Sequence, residues 1–499
     1  MSASMNRRTF VASAAAAGAA GVLTVLPRHV LGGGGRVAPS DRVTVAHIGM
    51  GTQGFRELAG VLETPGVQIV AVCDPNAAST DYVEWSKGSV RRTIRGLLGD
   101  PSWRADDDGC PGGREVGRLV VDTWYARNRP DAGAGKCTAY ADFRELLDRQ
   151  KDLDAVKIMT PDHLHAAVAV AAMTKGKHVV MHKPVANRLA EGRRVVEVAR
   201  RTKVGTHLLA YGAAPYNTAI ARCVKEGVIG PLREIHNWTN RPVWPQYPQV
   251  PADTPPVPKG FDWTLWLGPA VDRPYHPHYT HTVFRGWYDF GGGSMADMGI
   301  YSLWPVFAEL NLAPPVSAEA WGSHVCAIVD GVSRPVKNDV SYPDACAIRL
   351  HFAARDGRPA LDLFWYDGGM KPRLPAELEA QGAKMGREGI LFVGDDGAVL
   401  AGFHGQNPRL FARGKSEPLR LERTEGLYGN RNAWRGALKG EESPGNFLNA
   451  AAITDAVNLG TVALRAGKRV EFDSAAMQIT NDRAAGAYLT RRYRPGWEL

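Results

Sequence analysis

Short apolar runs alternate with stretches of helical composition in the first part of the chain. Four of these runs are brief and rich in β-branched residues: 42–48, 67–73, 154–159 and 177–181. Strands of this kind that alternate with helices are typical of a doubly wound parallel sheet, which binds ligands at the carboxyl ends of its strands. The pattern therefore predicts an α/β fold that begins with a Rossmann domain.

The first apolar run leads into a glycine-rich segment of the form GxGxxG. We expect cofactor contacts from Gly49, Gly51, Thr52, Gln53 and Gly54. Asp74 ends the second run, 20 residues after Gly54, where a carboxylate can accept hydrogen bonds from ribose hydroxyls. A carboxylate there repels a 2′-phosphate, so the sequence favours NAD, with NADP as the alternative.

Two further strand ends carry polar side chains. Thr160, Pro161 and His165 follow the third run, and Lys183 follows the fourth. The carboxyl ends of parallel strands meet at one edge of the sheet, so these residues are further candidates for cofactor binding.

Residues 80–138 interrupt the alternation of strands and helices, which predicts a partly helical insertion. The acidic run within it lacks the spacing of a calcium loop, and we expect no metal site.

The chain beyond residue 220 has a different pattern. Its apolar stretches have strand composition without the regular alternation with helices: 233–239, 345–352, 360–365 and 389–393. We therefore divide the chain into a Rossmann domain at 39–185 and a second domain at 186–499.

The N-terminus resembles a twin-arginine export signal. Arg7 and Arg8 precede a weakly apolar, alanine-rich stretch at 11–26, which is shorter than the ~20 residues of a membrane span. The alternative is a membrane anchor. We expect residues 1–38 to be a signal peptide and the mature protein to be periplasmic or secreted.

The net charge limits the possible binding partners, and the cysteines limit the possible disulfides. The net charge is +9, of which four arginines in residues 1–38 contribute +4. The remaining +5 is spread over the chain without a basic run, which argues against nucleic acid. An oxidising compartment permits disulfides. Among the six cysteines, Cys110 and Cys137 are the expected pair, because both lie in the same loop-rich segment.

Several motifs together resemble the Gfo/Idh/MocA oxidoreductase family. They are the GxGxxG with Asp74, the segment 140–143 that leads to 160–165, the tripeptide 182–184, and GGGSMADMGIY at 291–301. The resemblance implies a C-terminal α+β domain with an open, mostly antiparallel sheet. It also implies that this domain, 186–499, is a substrate-binding and oligomerisation domain that closes over the nicotinamide. An open sheet face favours a homodimer or homotetramer.

The resemblance also implies roles for single residues. Lys183 matches the lysine of a Glu-Lys-Pro motif, which contacts the nicotinamide side and the substrate hydroxyl. Asp297 and Tyr301 match a D-x-G-x-H/Y motif. The sequence departs from the family pattern at His182, in place of glutamate, and at Trp304, in place of aspartate.

These residues suggest a way to oxidise a sugar CH–OH group. A phenol has an ordinary pKa of ~10, and a neighbouring ammonium group lowers it. We therefore expect Lys183 to activate Tyr301 as the base, with Asp297 holding the lysine or a sugar hydroxyl. The alternatives are structural: Tyr301 as a core phenol, Asp297 as a helix cap and Lys183 as a surface lysine.

An aromatic segment at 263–288 suits carbohydrate. Arg285 and Trp287 are the expected substrate contacts there, in addition to Tyr301. Three histidines, His276, His278 and His281, could instead bind a metal, although their spacing converges only on a strand or a suitably shaped loop.

The sequence thus predicts an exported NAD(P)-dependent oxidoreductase acting on a pyranose sugar, a sugar derivative or a cyclitol. An exported enzyme has no obvious pool of free nicotinamide, so we expect a tightly retained cofactor that is recycled, for example by hydride transfer between two sugars. The alternatives are an NAD-dependent glycosidase that oxidises its sugar transiently, and an inactive sugar-binding relative.

Overall fold

The N-terminal half contains a six-stranded parallel sheet. The first eight strands of the chain are β1 (Val43–Ile48), β2 (Val67–Cys73), β3 (Ser79–Tyr82), β4 (Cys110–Gly112), β5 (Thr138–Tyr140), β6 (Ala155–Ile158), β7 (His178–His182) and β8 (Thr206–Leu209). Six of them lie in the order β5-β2-β1-β6-β7-β8, and every pair is parallel. The strand order reverses beside β1, where α/β folds bind their ligands. The predicted Rossmann sheet is confirmed.

Helices cover both faces of this sheet. They are α1 (Thr52–Leu62), α2 (Ser89–Leu98), α3 (Arg114–Asn128), α4 (Phe143–Arg149), α5 (Asp162–Thr174) and α6 (Leu189–Thr202). In β1, Val45 packs into one apolar cluster, while Ala46 and Ile48 pack into the other. Burial on both faces explains why these strands are continuous apolar runs in the sequence.

The segment predicted as an insertion contains two kinds of structure. α3 packs against β2 and β5 and serves as the crossover helix between them. The added part is therefore shorter than 80–138, and consists of α2 between the antiparallel strands β3 and β4. The acidic residues 106–108 are exposed.

A ten-stranded sheet forms the C-terminal half. The remaining strands are β9 (Leu232–Trp238), β10 (Ser317–Gly322), β11 (Cys326–Val329), β12 (Val332–Pro335), β13 (Cys346–Phe352), β14 (Leu361–Tyr366), β15 (Gly389–Gly394), β16 (Gly397–Ala401), β17 (Arg409–Ala412), β18 (Lys415–Pro418), β19 (Val470–Asp473) and β20 (Gln478–Ile479). Ten of them lie in one sheet in the order β18-β17-β16-β15-β9-β14-β13-β10-β19-β20, and β11 pairs with β12 in a separate hairpin. Only the β9–β14 pair is parallel, which confirms a mostly antiparallel sheet.

The helices of this half are α7 (Ala214–Lys225), α8 (Trp263–Leu267), α9 (Ile300–Leu310), α10 (Ala376–Ala380), α11 (Ala433–Ala437) and α12 (Ala451–Ala466). β13 alternates buried and half-buried residues, because only one of its faces packs against the core. α12 covers that face, where Gly460 lies against Ile348. A single π-helical turn, Met295–Gly299, leads into α9.

An ion pair between distant parts of the chain supports the region after β7. Arg491 Nε lies 2.6 Å from Glu191 Oε1, in the first turn of α6, and both side chains are buried. Arg491 also donates to the backbone oxygen of Asp289 (3.1 Å) and to Asn187.

All six cysteines are free thiols. Cys110 Sγ lies 4.0 Å from Thr52 Oγ1, whereas the backbone N–H of Cys137 donates to Asp122 of α3. The expected Cys110–Cys137 disulfide is not formed in this structure, where each Sγ atom has another polar neighbour: Thr52 Oγ1 for Cys110 and the backbone oxygen of Thr138 for Cys137.

The computed structural model describes residues 41–130, 136–210, 214–420 and 432–499. Its main compact unit comprises Val43–Leu499. The predicted signal peptide, 1–38, lies outside the described residues. None of the helices in the described ranges has the length and apolar composition needed to cross a membrane.

Candidate active site

The glycine-rich loop after β1 has the geometry that a dinucleotide phosphate requires. Gly49 has a φ of +99°, and a Cβ atom there would lie 2.5 Å from the backbone oxygen of Met159. A Cβ atom on Gly54 would lie 2.2 Å from the backbone oxygen of Gly49. α1 begins at Thr52, and no side chain caps its first turn. Its free N–H groups therefore suit an anionic ligand.

The Asp74 carboxylate holds this loop in place. Its Oδ2 accepts a hydrogen bond from Met50 N at 2.7 Å, and its Oδ1 accepts one from Asn76 N at 2.9 Å. Burial raises its pKa, against the effect of these hydrogen bonds. Asp74 also lines the cavity in front of the loop, where the remaining lone pairs of its oxygens can accept from a ligand.

That cavity has a volume of about 110 Å³. Its Rossmann side includes Gly49, Gly51, Thr52, Gln53, Asp74, Thr160 and Pro161, all predicted cofactor contacts. Its other side is formed by residues that include Tyr82, Trp85, Phe261, His281, Thr282, Phe284 and Arg285. Pockets for small molecules usually have ~300–1,000 Å³, so this cavity is small for a dinucleotide.

Residues 79–85, which we call the cover segment, approach the glycine loop most closely. A Cβ atom on Gly51 would lie 2.9 Å from Tyr82 Cε1. Thr52 Oγ1 donates to the backbone oxygen of Val83 at 2.7 Å. The cover segment therefore rests directly on the loop that would hold the dinucleotide phosphates.

His165 does not line the cavity. Its ring nitrogens lie 2.6 Å from the backbone oxygen of Pro184 and 2.9 Å from that of Thr160. This buried side chain links the loops after β6 and β7. The prediction that it contacts the cofactor is therefore corrected: both ring nitrogens are occupied by backbone groups.

A buried charge cluster lies at the end of β7. Lys183 Nζ is 2.6 Å from Asp297 Oδ1, and Arg285 Nε is 3.0 Å from the same oxygen. Arg241, which follows β9, places its Nε 3.9 Å from Asp297 Oδ2. Lys183 is only 3% exposed and Asp297 is 7% exposed. The structure thus brings together three residues predicted from the sequence, Lys183, Arg285 and Asp297.

The cluster shifts the pKa values of its members. Burial alone would raise the pKa of Asp297, but Lys183 and Arg285 outweigh burial and hold it well below its usual value. Burial lowers the pKa of Lys183, Asp297 opposes that shift, and Arg285 reinforces it. The arrangement keeps the carboxylate ionised and makes the neutral amine of Lys183 more accessible than in water.

The phenol of Tyr301 has a different partner from the predicted one. Its oxygen lies 3.0 Å from His182 Nε2, and Lys183 Nζ lies 5.0 Å from the centre of its ring. Burial raises the pKa of Tyr301, and Asp297 raises it further. The expected activation of Tyr301 by Lys183 is therefore wrong, because the lysine directs its hydrogen bond to Asp297.

The π-helical turn places Asp297 in the cluster. π turns widen a helix locally and are frequent at functional sites. Gly299 closes this turn against Trp365, where a Cβ atom would lie 3.1 Å from the indole ring. Trp304, the second departure from the family motif, is buried in α9 and belongs to the core.

Most aromatic residues of the segment 263–288 pack against one another. Trp263, Trp266, Tyr275, Tyr279 and Trp287 are all buried in one cluster. The indole N–H of Trp287 donates to the backbone oxygen of His278 at 2.7 Å, and its side chain is 1% exposed. Trp287 does not line the cavity, which corrects its expected contact with substrate.

The three histidines of this segment have separate partners. His276 lies 3.3 Å from Asp253, His281 lies 3.4 Å from Asp81, and His278 stacks on Tyr247. No group of three or more potential metal ligands occurs within the described ranges.

Sequence reasoning missed four residues around the site: Tyr82, Trp85, Asp162 and Arg241. Asp162 lies within a recognised segment and accepts a hydrogen bond from Gly292 N at 3.0 Å. The other three lie in a loop or an insertion without a periodic pattern. The sequence around Arg241 therefore carries no signal that it would reach Asp297.

Two family models match the chain. Residues 119–208 match the NAD-binding Rossmann fold of an oxidoreductase family, and residues 218–361 match its C-terminal alpha/beta domain. The matched residues of both halves are therefore similar to the Gfo/Idh/MocA oxidoreductase family. The first model confirms the prediction of NAD. The glycine loop, the free N–H groups of α1 and the acceptors of Asp74 fit that cofactor.

Curated relatives are similar to part of the chain. A glycosyl hydrolase family 109 protein of Shewanella baltica (strain OS155) is 28% identical over 245 residues, which are 46% of this chain and 44% of that protein. A glycosyl hydrolase family 109 protein of Shewanella sp. (strain ANA-3) is 28% identical over 202 residues, 40% of this chain and 35% of that protein. The chain thus matches less than half the length of these relatives.

Solved structures are similar over most of the chain. An aldose-aldose oxidoreductase from Caulobacter crescentus is 17% identical, with 86% of this chain and 100% of that chain covered and a TM-score of 0.48. A levoglucosan dehydrogenase in complex with NADH and L-sorbose is 14% identical, with 86% and 99% covered and a TM-score of 0.45.

Proposed function

We propose that this chain is an exported, NAD-dependent oxidoreductase that removes a hydride from a CH–OH group of a pyranose sugar, a sugar derivative or a cyclitol. The observation that carries the proposal is the buried Lys183–Asp297 pair, 2.6 Å apart, at the carboxyl edge of an NAD-binding Rossmann sheet. Buried titratable pairs with shifted pKa values are typical of sites for proton transfer.

Oxidation of the alcohol to a carbonyl removes a hydride from carbon and a proton from oxygen. NAD supplies the hydride acceptor when it is bound. Lys183 is the group suited to take the hydroxyl proton, because burial lowers its pKa. Asp297 keeps the lysine in position and stabilises the ammonium ion formed by the transfer. Tyr301, hydrogen-bonded to His182, has a raised pKa. It therefore acts as a hydrogen-bond donor or lines the substrate site, and is not the base.

The proposal includes a retained cofactor. Tyr82 and Trp85 of the cover segment and the residues around Phe284 line the cavity opposite the glycine loop, so their contacts would slow the release of a bound dinucleotide. Slow exchange suits an enzyme that is exported and recycles its cofactor within each turnover. The paired arginines of residues 1–38 support the export part of the proposal.

A second function, NAD-dependent glycoside cleavage, is favoured by the curated relatives, which are named as glycosyl hydrolase family 109 proteins. Both functions need the same first step, removal of a hydride from the sugar. They differ in the products: a glycosidase returns the hydride to the same sugar and releases an alcohol, whereas an oxidoreductase with a retained cofactor passes the hydride to the carbonyl group of a second sugar and leaves one oxidised and one reduced sugar.

The test is to purify the exported protein without added nucleotide, identify any released nucleotide by mass spectrometry, and analyse products from sugars and glycosides. One NAD per chain and an oxidised sugar are expected. A free aglycone without net oxidation would favour the glycosidase. An empty site with weak NAD affinity would favour the inactive sugar-binding relative.

Lys183→Ala tests the proposed role of the lysine as the base. We expect turnover to fall about 100- to 10,000-fold, the usual contribution of a general base, while NAD binding remains. Lys177→Ala, at a lysine that bonds to the backbone oxygen of Leu153, is the control. Unchanged turnover in Lys183→Ala would remove the proposed role.

We also propose that the protein is a homodimer or homotetramer. The β11–β12 hairpin exposes an unusual number of apolar side chains, including Ile328 at 71% and Val332 at 47%. Large exposed apolar patches often mark protein interfaces. Sedimentation equilibrium should give a mass of two or four chains, and Ile328→Lys should shift it towards the monomer. A monomeric parent protein would contradict the proposal.

A further inference from the structure

Positive charge exceeds negative charge in the cluster around Asp297. Lys183, Arg285 and Arg241 all approach this one carboxylate. Asp74 and Asp162 line the neighbouring cavity, and Asp162 Oδ2 accepts from Gly292 N, but neither carboxylate forms an ion pair with Arg285 or Arg241 among the described residues. The two guanidinium groups therefore share Asp297 alone, which leaves at least one positive charge to be balanced whether or not Lys183 carries a proton.

The guanidinium groups have N–H donors to spare. Arg241 Nε is buried without a hydrogen-bond partner, and within the described ranges its side chain makes no hydrogen bond. Arg285 uses Nε for Asp297, and its two terminal nitrogens have no hydrogen-bond partner within the same ranges. Buried donors without partners are costly, so a ligand that accepts from them gains binding energy.

Trp85 holds the two guanidinium groups next to each other. Both lie 5.8 Å from the centre of its ring, a distance at which cation–π attraction operates. Trp85 is 39% exposed and lines the same cavity as Arg285. The paired guanidinium groups are thus at the border between the cavity and solvent, where a substrate can reach them.

The carboxylate of Glu388, which lies beside the residues just before Arg241, does not neutralise the two guanidinium groups. Glu388 accepts from Thr239 Oγ1 and from Asn240 N, immediately before Arg241. No ion pair joins Glu388 to either arginine among the described residues. A carboxylate on the ligand would give the second guanidinium group a partner.

We propose that the substrate carries a carboxylate, bound by the free N–H groups of Arg241 and Arg285, and that it is therefore an acidic sugar such as a uronic acid or its glycoside. Guanidinium groups bind planar carboxylates through two parallel hydrogen bonds, and a single negative charge balances the cluster. The inference rests on the proposed function, since it names the substrate class of the same site.

The test compares ligands that differ only in this group. NAD-loaded protein is titrated calorimetrically with methyl glucuronide and methyl galacturonide, with the corresponding methyl glucoside and galactoside, and with a hexose phosphate. We expect at least one uronide to bind about 10- to 100-fold more tightly than its neutral counterpart, the range given by hydrogen bonds to charged groups. Its affinity should fall as salt is added.

Variants assign the preference to the arginines. Arg241→Gln should reduce the ratio of acidic to neutral affinity towards one, and Arg241→Lys should restore part of it, because lysine keeps the charge without the planar fork. Arg233→Gln is the control, since Arg233 pairs with Asp395 at the exposed start of β9. In Arg233→Gln, the ratio of acidic to neutral sugar affinity should match that of the parent protein.

Four results would overturn the inference: no binding of either uronide, equal affinity for acidic and neutral sugars, tighter binding of the hexose phosphate, and an unchanged ratio in Arg241→Gln. Loss of NAD affinity in Arg241→Gln with an unchanged ratio would assign the arginine to the cofactor instead.

Nicotinamide reduction separates this inference from the proposed function. A uronide that binds through Arg241 but is never oxidised or cleaved would leave the carboxylate site standing and remove the enzymatic function. Turnover of neutral sugars with no preference for acids would leave the function standing and remove the carboxylate site.

Discussion

At the scale of single residues, the charges around Lys183 set the pH at which its amine can accept a proton. Asp297 favours the ammonium form, whereas burial and Arg285 favour the neutral form. Asp162 also acts on the lysine from α5, and the ring of Tyr301 faces it from α9. If the neutral amine takes the substrate proton, turnover rises as pH rises through the pKa of Lys183.

Asp297→Asn tests this balance. Removal of the carboxylate lowers the pKa of Lys183 further, so the rise in kcat/KM should move to lower pH by about 1–3 pH units, the usual effect of one close opposite charge. The pH dependence of kcat/KM is the measurement, with Asp289→Asn as the control because Asp289 pairs with Arg188 and Arg273 instead. A rise displaced to higher pH would contradict the assignment of Lys183 as the base.

Some residues of the site could be predicted from the sequence, and others could not. Gly49, Asp74 and Lys183 each follow a recognisable strand, so the rule that strand ends meet was enough to bring them together. The partner of Tyr301 could not be predicted, because His182 lies 119 positions away and no periodicity links them. Trp287 shows the opposite failure: composition suggests a sugar platform, yet other aromatic rings cover its faces.

At the scale of elements, the cover segment lies over the glycine loop. β3 holds Tyr82 against Gly51, while the side chains of Thr52 and Thr282 both donate to the backbone oxygen of Val83. The segment is thus attached to both halves of the protein. The sequence predicted an insertion here, but its position over the cavity depends on contacts with residues far along the chain.

Tyr82→Ala should accelerate nucleotide exchange. Loss of ~1.4 kcal/mol of ring packing, less than the cost of truncating a buried aromatic side chain, corresponds to a tenfold faster release. Release of bound NAD can be followed by rapid gel filtration after dilution into excess unlabelled nucleotide. Tyr82→Phe keeps the ring and should exchange at the parent rate. Equal rates for the alanine and parent proteins would show that another element limits release.

At the scale of the whole molecule, buried neutral histidines make stability depend on pH. Burial lowers the pKa of His47, His163 and His207 to about 3 in each case. An unfolded histidine has a pKa of ~6.5, so the unfolded chain binds more protons than the folded one between these values. Stability is therefore fully present above pH 6.5 and is lost as pH falls below it.

We expect a lower free energy of unfolding at pH 5 than at pH 7.5, with each histidine contributing about 2 kcal/mol to the difference. Asp367 acts in the opposite direction by about 1 kcal/mol, because burial raises its pKa to about 6 and its folded form gains a proton. Denaturant titrations at the two pH values measure the loss. His207→Asn should reduce the loss, and an equal stability of the parent protein at both pH values would contradict the account.

The Arg491–Glu191 ion pair has a consequence for biosynthesis. Its two members are 300 residues apart, so the ribosome makes the whole C-terminal sheet after Glu191 and before Arg491. Until then, Glu191 in the first turn of α6, eight residues after Lys183, lacks its guanidinium partner. The Rossmann sheet can form early during translation, but the loop that carries the lysine acquires its final support late. In nascent chains that stall just before Arg491, the glycine loop should therefore resist proteolysis, whereas the region around Lys183 should still be cleaved.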